Sequence, residues 1–180
     1  HLEFVGYQGS FEKQKSYFEK YVEQIPSEGT CVLCFDDLEV RKIYKKFINN
    51  KQNLLCYSIK EENKSNVDAF ACNIATDVSG LSFDVILKDG SEIKNIKMPI
   101  YGEHNASNAL VAVLVAKFLG LTNEQIKKGL LAFNGVKQRF TKVGEFKGVA
   151  IIDDYGHHPT EIATTLKAAR KLAGKHKVIC

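Results

Sequence analysis

What this chain lacks bounds it before anything else does. Its 180 residues hold no apolar run long enough to cross a bilayer and no signal-peptide pattern, so a helical membrane span is excluded within them. They hold no block of one charge sign. Lys and Arg number 25 against 21 Asp and Glu, a net charge of +4. The lysines are spread out, which weighs against a nucleic-acid surface and favours small anions only weakly. No internal repeat or low-complexity tract occurs, and 44% hydrophobic with 26% charged residues excludes disorder as the default. The five cysteines include one CxxC pair, Cys31 and Cys34, but no second pair to complete a zinc site. They read as buried, reduced thiols. A P-loop is also missing, because Leu172-Ala173-Gly174-Lys175-His176 lacks both the upstream glycine and the hydroxyl of the phosphate cradle. By itself the chain offers no evident seat for a triphosphate.

What is present is an alternation of helix and strand signals. Phe11, Phe18, Tyr21, Val22 and Ile25 share one face of a helix that Ser10 can cap. Thr30 to Phe35 reads as a strand. Asp36 or Asp37 then caps a helix through Phe47, with Leu38, Val40, Ile43, Tyr44 and Phe47 as its buried side. Leu54 to Ile59 is a second strand, so this is a βαβ unit of a parallel sheet. Residues 67–78, 81–87 and 92–100 read as antiparallel strands, with strict alternation at Leu81, Phe83, Val85 and Leu87 and a tight turn at Asp89-Gly90. An alanine-rich helix over 106–119 ends at Gly120, and Thr122 caps another over 124–132. Asn134-Gly135-Val136 is a turn and the expected domain boundary. Beyond it lie a strand over 140–146, an apolar strand from Val149, a helix from Pro159 to about Leu172, and a further parallel strand from Lys177. The start at His1 without a methionine and the stop inside that last strand predict a piece of a longer protein.

The polar residues gather in three places. Val149 to Ile152 reads as a buried parallel strand tipped by Asp153 and Asp154, with Tyr155-Gly156-His157-His158 between it and the next helix. Pro159 suits the first turn of that helix and Glu161 its positive end. Ligands of open α/β sheets bind at such carboxyl ends. Strand alternation sends the two aspartates to opposite sides. Of the two histidines, one is free for function while the other packs or bonds the helix start. Asn105 and Asn108, three apart, project on one side of a first helical turn, where an amide suits a purine edge and equally well serves as a cap. Arg139 lies just past the boundary, where its planar fork can bridge a phosphate or simply form a surface ion pair.

Read together and in order, Gly102-Glu103-His104-Asn105-Ala106-Ser107-Asn108-Ala109, Phe133-Asn134-Gly135-Val136-Lys137-Gln138-Arg139-Phe140 and Asp153-Asp154-Tyr155-Gly156-His157-His158-Pro159-Thr160-Glu161 resemble the Mur ligases. His1-Leu2-Glu3 and Tyr7-Gln8-Gly9-Ser10-Phe11-Glu12 resemble the segment after that family's central-domain metal site. The resemblance implies an α/β fold: part of the central ATPase domain (mixed sheet with helices, residues 1–136), then the first βαβ unit of a Rossmann-like C-terminal domain (137–180). It implies a cytosolic ATP-dependent ligase of peptidoglycan synthesis, closest to the members that join L-alanine to UDP-N-acetylmuramate. The muramate carboxylate takes the γ-phosphoryl group of ATP, releasing ADP, and the alanine amine then displaces phosphate. As cofactors it implies ATP and Mg2+. By the same resemblance His1 is a Mg2+ ligand, Asn105 and Asn108 lie at the adenine, and His104, which precedes them in the motif, belongs to the ATP site. Arg139 reaches the ATP phosphate and Asp154 the ribose, and Tyr155 and His157 lie near the incoming amino acid. With the P-loop absent, the chain alone is expected to be inactive and to bind ATP feebly. The competing readings are a ligase that joins a tripeptide to the same nucleotide sugar, a non-catalytic nucleotide-binding module, and a metal-dependent hydrolase built on His157, His158 and the aspartates.

Overall fold

A computed structural model of the chain describes residues 10–50, 53–77 and 79–180. The fold comprises two compact units that divide after Phe70.

In the first unit, helix α1 (Phe11–Glu23) starts where Ser10 Oγ accepts the Lys13 amide at 3.2 Å. Strands β1 (Thr30–Cys34) and β2 (Asn53–Ser58) pair in parallel around helix α2 (Leu38–Phe47). Asp37 is the cap of α2, accepting the Glu39 and Val40 amides at 2.8 and 3.0 Å. Asp36 does something else, since its carboxylate accepts the Ser58 hydroxyl, the Ile59 amide and the Asn63 side chain. Ser58 and Asn63 are buried, and these bonds remove the cost of burying them. Val22, Ile43, Phe47 and Leu54 form the core, with Cys31 and Tyr44 against it.

Two expectations of burial, for Leu38 and for the cysteines, hold only in part. Of the apolar face shared along α1, Val22 is buried and Ile25 just beyond it half-buried, while Phe18 is 57% and Tyr21 72% exposed. Periodicity identifies residues that share a face, not whether anything covers it. Leu38 on α2 is likewise exposed. The cysteines are free, but only Cys56 is fully buried, and Cys180 is exposed. Burial pushes the Cys56 thiol up to about 11, which keeps it protonated and unreactive.

Strand β3 (Ala69–Asp77) begins in parallel with β2, at Tyr57↔Ala69 and Ser58↔Phe70, rather than antiparallel. A 3-10 turn over Glu61–Asn66 supplies the crossover that a parallel return requires.

In the second unit β3 continues and neighbours β4 (Gly80–Leu87), which pairs antiparallel with β5 (Glu92–Met98). Leu81, Phe83, Val85 and Leu87 all face inward, as their alternation predicts. Helix α3 (His104–Phe118) packs on β4 and helix α4 (Asn123–Ala132) on β5. Thr122 and Gln125 form a capping box at the start of α4. Ala106, Ala109, Leu110, Val113, Ile126 and Leu130 complete this core.

Strands β6 (Thr141–Phe146) and β7 (Val149–Asp153) form an antiparallel two-stranded ribbon, followed by helix α5 (Pro159–Ala173). The buried parallel strand expected at Val149 is therefore corrected: β7 pairs only with β6 among the described residues, and Val149 is 62% exposed. An apolar run shows what a layer can bury, but burial needs a second layer. Residues 177–180 form no strand, since no described strand hydrogen-bonds to them. The βα part of the anticipated βαβ unit is present. No helix among the described residues is long and apolar enough to cross a membrane.

Candidate functional site

A cleft of about 1310 Å³ opens in the second unit. It is lined by His104, Asn105 and Asn108 of α3, together with the apolar face of α4. The same cleft is lined by Arg139, Phe140, Thr141 and Lys142, and by Ala150 and Ile152 of β7. Residues on both sides of Lys137 thus share one hollow. Tyr101 and Phe140, both in its lining, meet edge to face with ring centroids 5.9 Å apart.

Helix α3 begins at His104, two residues earlier than expected, and its cap Glu103 makes no side-chain bond. The Asn105 amide instead ties the first turn to the preceding loop, donating to the Tyr101 carbonyl at 2.7 Å. Its Oδ1 accepts the Asn108 amide at 3.3 Å, so the two asparagines lie side by side as their spacing predicts. Asn105 is thereby committed. Asn108 is exposed and keeps a carbonyl oxygen and a second N–H for a partner in the cleft. His104 retains an accessible edge, yet desolvation by the cleft wall lowers its imidazole below the ordinary 6.5. Asp154 opposes that shift and Arg139 adds to it. His104, Arg139 and Asp154 therefore share one electrostatic neighbourhood.

Asp154 sits at the tip of β7, with Asp153 exposed beside it. One of its oxygens, Oδ2, accepts the Phe140 amide at 2.9 Å. The other, Oδ1, accepts the Gly156 amide at 2.8 Å and the Thr165 hydroxyl at 3.1 Å. Burial alone would raise this carboxyl, but those donors and the Arg139 charge hold it below the usual 3.8. A Cβ on Gly156 would lie 2.7 Å from Asp154 Oδ1, so the close approach itself requires glycine.

Tyr155 and His157 are exposed, outside the cleft lining, and stack edge to face at 5.2 Å. His157 Nδ1 lies 3.1 Å from the Tyr155 carbonyl. His158 is the residue that starts the helix: its Nδ1 accepts the Thr160 amide at 3.3 Å, and Glu161 closes the capping box on the backbone of both histidines. Those bonds lower the Glu161 carboxyl. The metal-ligand expectation at His1 lies outside the described residues. Among the described residues no three His, Cys, Asp or Glu side chains come together as a metal site, which leaves a hydrolase built on His157 and His158 without a centre.

The sequence profile of the Mur ligase middle domain matches residues 1–116, and that of the Mur ligase glutamate ligase domain matches residues 138–180. The chain belongs to the Mur ligase family. It is 38% identical to UDP-N-acetylmuramate–L-alanine ligase of Hyphomonas neptunium over 98% of its own length, and 39% identical to that of Bartonella henselae over 98%. It spans about 38% and 37% of those two relatives. Among solved structures it resembles UDP-N-acetylmuramate–alanine ligase from Thermotoga maritima, with a TM-score of 0.72 and 22% identity over 93% of this chain and 35% of that one. It also resembles folylpolyglutamate synthetase from Lactobacillus casei, with a TM-score of 0.74 and 18% identity over 94% of this chain and 42% of that one. At those identities the two structures share its fold.

Sequence reasoning missed Thr165, Gly156 and the Phe140 amide. Gly156 and Phe140 stand inside the motifs quoted above without a role being read from them, and Thr165 had only its position, a hydroxyl inside a helix that follows an acidic strand tip.

Proposed function

We propose that this chain is the nucleotide-gripping part of a UDP-N-acetylmuramate–L-alanine ligase of peptidoglycan synthesis, using ATP with Mg2+. The domain boundary in this reading lies near Lys137. The observation that carries it is the single cleft lined by residues from before and after Lys137, among them the two adjacent asparagine amides and the Arg139 guanidinium. The names of the relatives supply the substrate class.

In this reading Asn108 meets the adenine edge and Asn105 holds it in place. Arg139 neutralises phosphate charge as the acyl phosphate forms, and Asp154 offers a ribose hydroxyl its remaining acceptor position. Tyr155 and His157, held against each other outside the cleft, face the incoming amino acid. The described residues fit ATP's base and sugar. They offer no cluster for Mg2+, whose expected ligand is His1.

The test is phosphate release by the protein at the full length of its relatives, with ATP and UDP-N-acetylmuramate, comparing L-alanine with a tripeptide. Preference for L-alanine is expected; preference for the tripeptide overturns the assignment. No release with either leaves only the nucleotide-binding module. For the 180-residue chain alone, calorimetry should show no ATP binding at micromolar concentrations, because tight triphosphate binding relies on a backbone cradle that this sequence lacks.

A further inference from the structure

We propose that Thr165 is a positioning residue for Arg139, acting through the carboxylate of Asp154. The connector that carries Arg139 is unusual: Gln138 and Phe140, neither of them glycine, both adopt left-handed backbone with φ of 59° and 52°. Such conformations persist only where the surroundings over-determine them. Two bonds do so here, one on each side of Arg139. The Tyr155 amide donates to the Gln138 carbonyl at 2.8 Å, and the Phe140 amide donates to Asp154 Oδ2 at 2.9 Å.

The first clip is backbone to backbone and survives any side-chain change. The second depends on where one carboxylate points. Asp154 is held by its other oxygen, which takes the Gly156 amide and the Thr165 hydroxyl. Gly156 is only two residues away and moves with Asp154. Thr165, half-buried on α5, is the anchor from a separate element. The chain of support therefore runs from α5 through Thr165 and Asp154 to the Phe140 amide, and so to the backbone of Arg139.

This clasp does not consume Asp154. A carboxylate has about four acceptor positions. Three are used, so one on Oδ2 remains for a ligand hydroxyl, and the same residue can fix the connector and touch a sugar. The proposal rests on the reading of Arg139 as the phosphate-contacting residue for its functional arm only; the clasp itself is tested separately.

The structural arm uses Thr165→Val, which keeps the shape and removes the hydroxyl, and Thr165→Ser, which keeps the hydroxyl. In the valine variant the Phe140 amide should exchange with solvent roughly tenfold faster, and the Asp154 carboxyl should titrate higher, since a donor to its charged form is gone. Serine should restore both. Gly156→Ala, which displaces the carboxylate without altering α5, should give the same Phe140 signature and keeps the test valid if the valine variant fails to fold. Unchanged Phe140 exchange in folded variants overturns the clasp.

The functional arm measures ligase turnover at the relatives' full length. Thr165→Val should lower kcat roughly tenfold with serine rescue, and Arg139→Ala should lower it further. A valine variant with normal kcat beside a crippled Arg139→Ala overturns the positioning role alone. Normal kcat in both overturns the reading of Arg139 instead.

Discussion

Replacing Arg139 with alanine should lower kcat/KM for phosphate release, measured at the full length of the relatives, by roughly 100- to 1,000-fold. The expectation follows from where this arginine is held rather than from its charge alone. Arg139 is exposed, where a guanidinium is screened and contributes little to stability. Its backbone, however, is pinned on both sides by the Gln138 and Phe140 bonds, and it lines the same cleft as the asparagines. In the proposed reading, a backbone fixed in advance lowers the reorganisation needed to bring the guanidinium to the phosphate. If Arg139 meets the phosphate as proposed, the loss should fall mainly on kcat, because such an interaction strengthens as negative charge spreads over the transferring group. Arg139→Lys should recover only part of it, since an ammonium cannot reproduce the two-pronged geometry. A folded alanine variant within threefold of the parent would remove Arg139 from the machinery.

Parts of this arrangement were readable in the sequence because they are local. Ser10, Thr122 and the Pro159 start announce their helices within four residues. The adjacency of Asn105 and Asn108 follows from helical spacing, and the bonding of one of the two histidines to the helix start follows from Pro159. The choice between Asp36 and Asp37 was not readable, because it turns on Ser58 and Asn63, more than twenty residues away. The same holds for Asp154. Its neighbours Phe140 and Thr165 are 14 and 11 residues distant, and only the folded β7–α5 corner brings them to one carboxylate. β7 shows the opposite error. Its apolar run was legible, but its antiparallel partner and its exposed face depend on which strands lie beside it.

The largest stability effect expected in the second unit is Phe83→Ala, at about 3–5 kcal/mol. Phe83 is 1% exposed and lies opposite Ile96 in the β4–β5 ladder. Removing its ring would leave a cavity, and the cost depends on how far the surroundings can collapse into it. Here they are pinned. The register shifts between Phe83 and Val85, and the Asp84 carboxylate fixes that bulge by accepting the Asn95 amide at 2.7 Å and the Asn73 side chain at 2.8 Å. Asn73 and Asn95 both hold left-handed backbone, with φ of 53° and 57°, so neither strand can slide inward without breaking those bonds. The cost should therefore fall in the upper half of the range, read as the shift in the denaturant midpoint of the unit containing β4. Ser82→Ala, the neighbouring position on the other face, should stay within about 0.5 kcal/mol. A loss below about 1.5 kcal/mol for Phe83→Ala would mean that the ladder relaxes around the cavity and that Asp84 does not hold it.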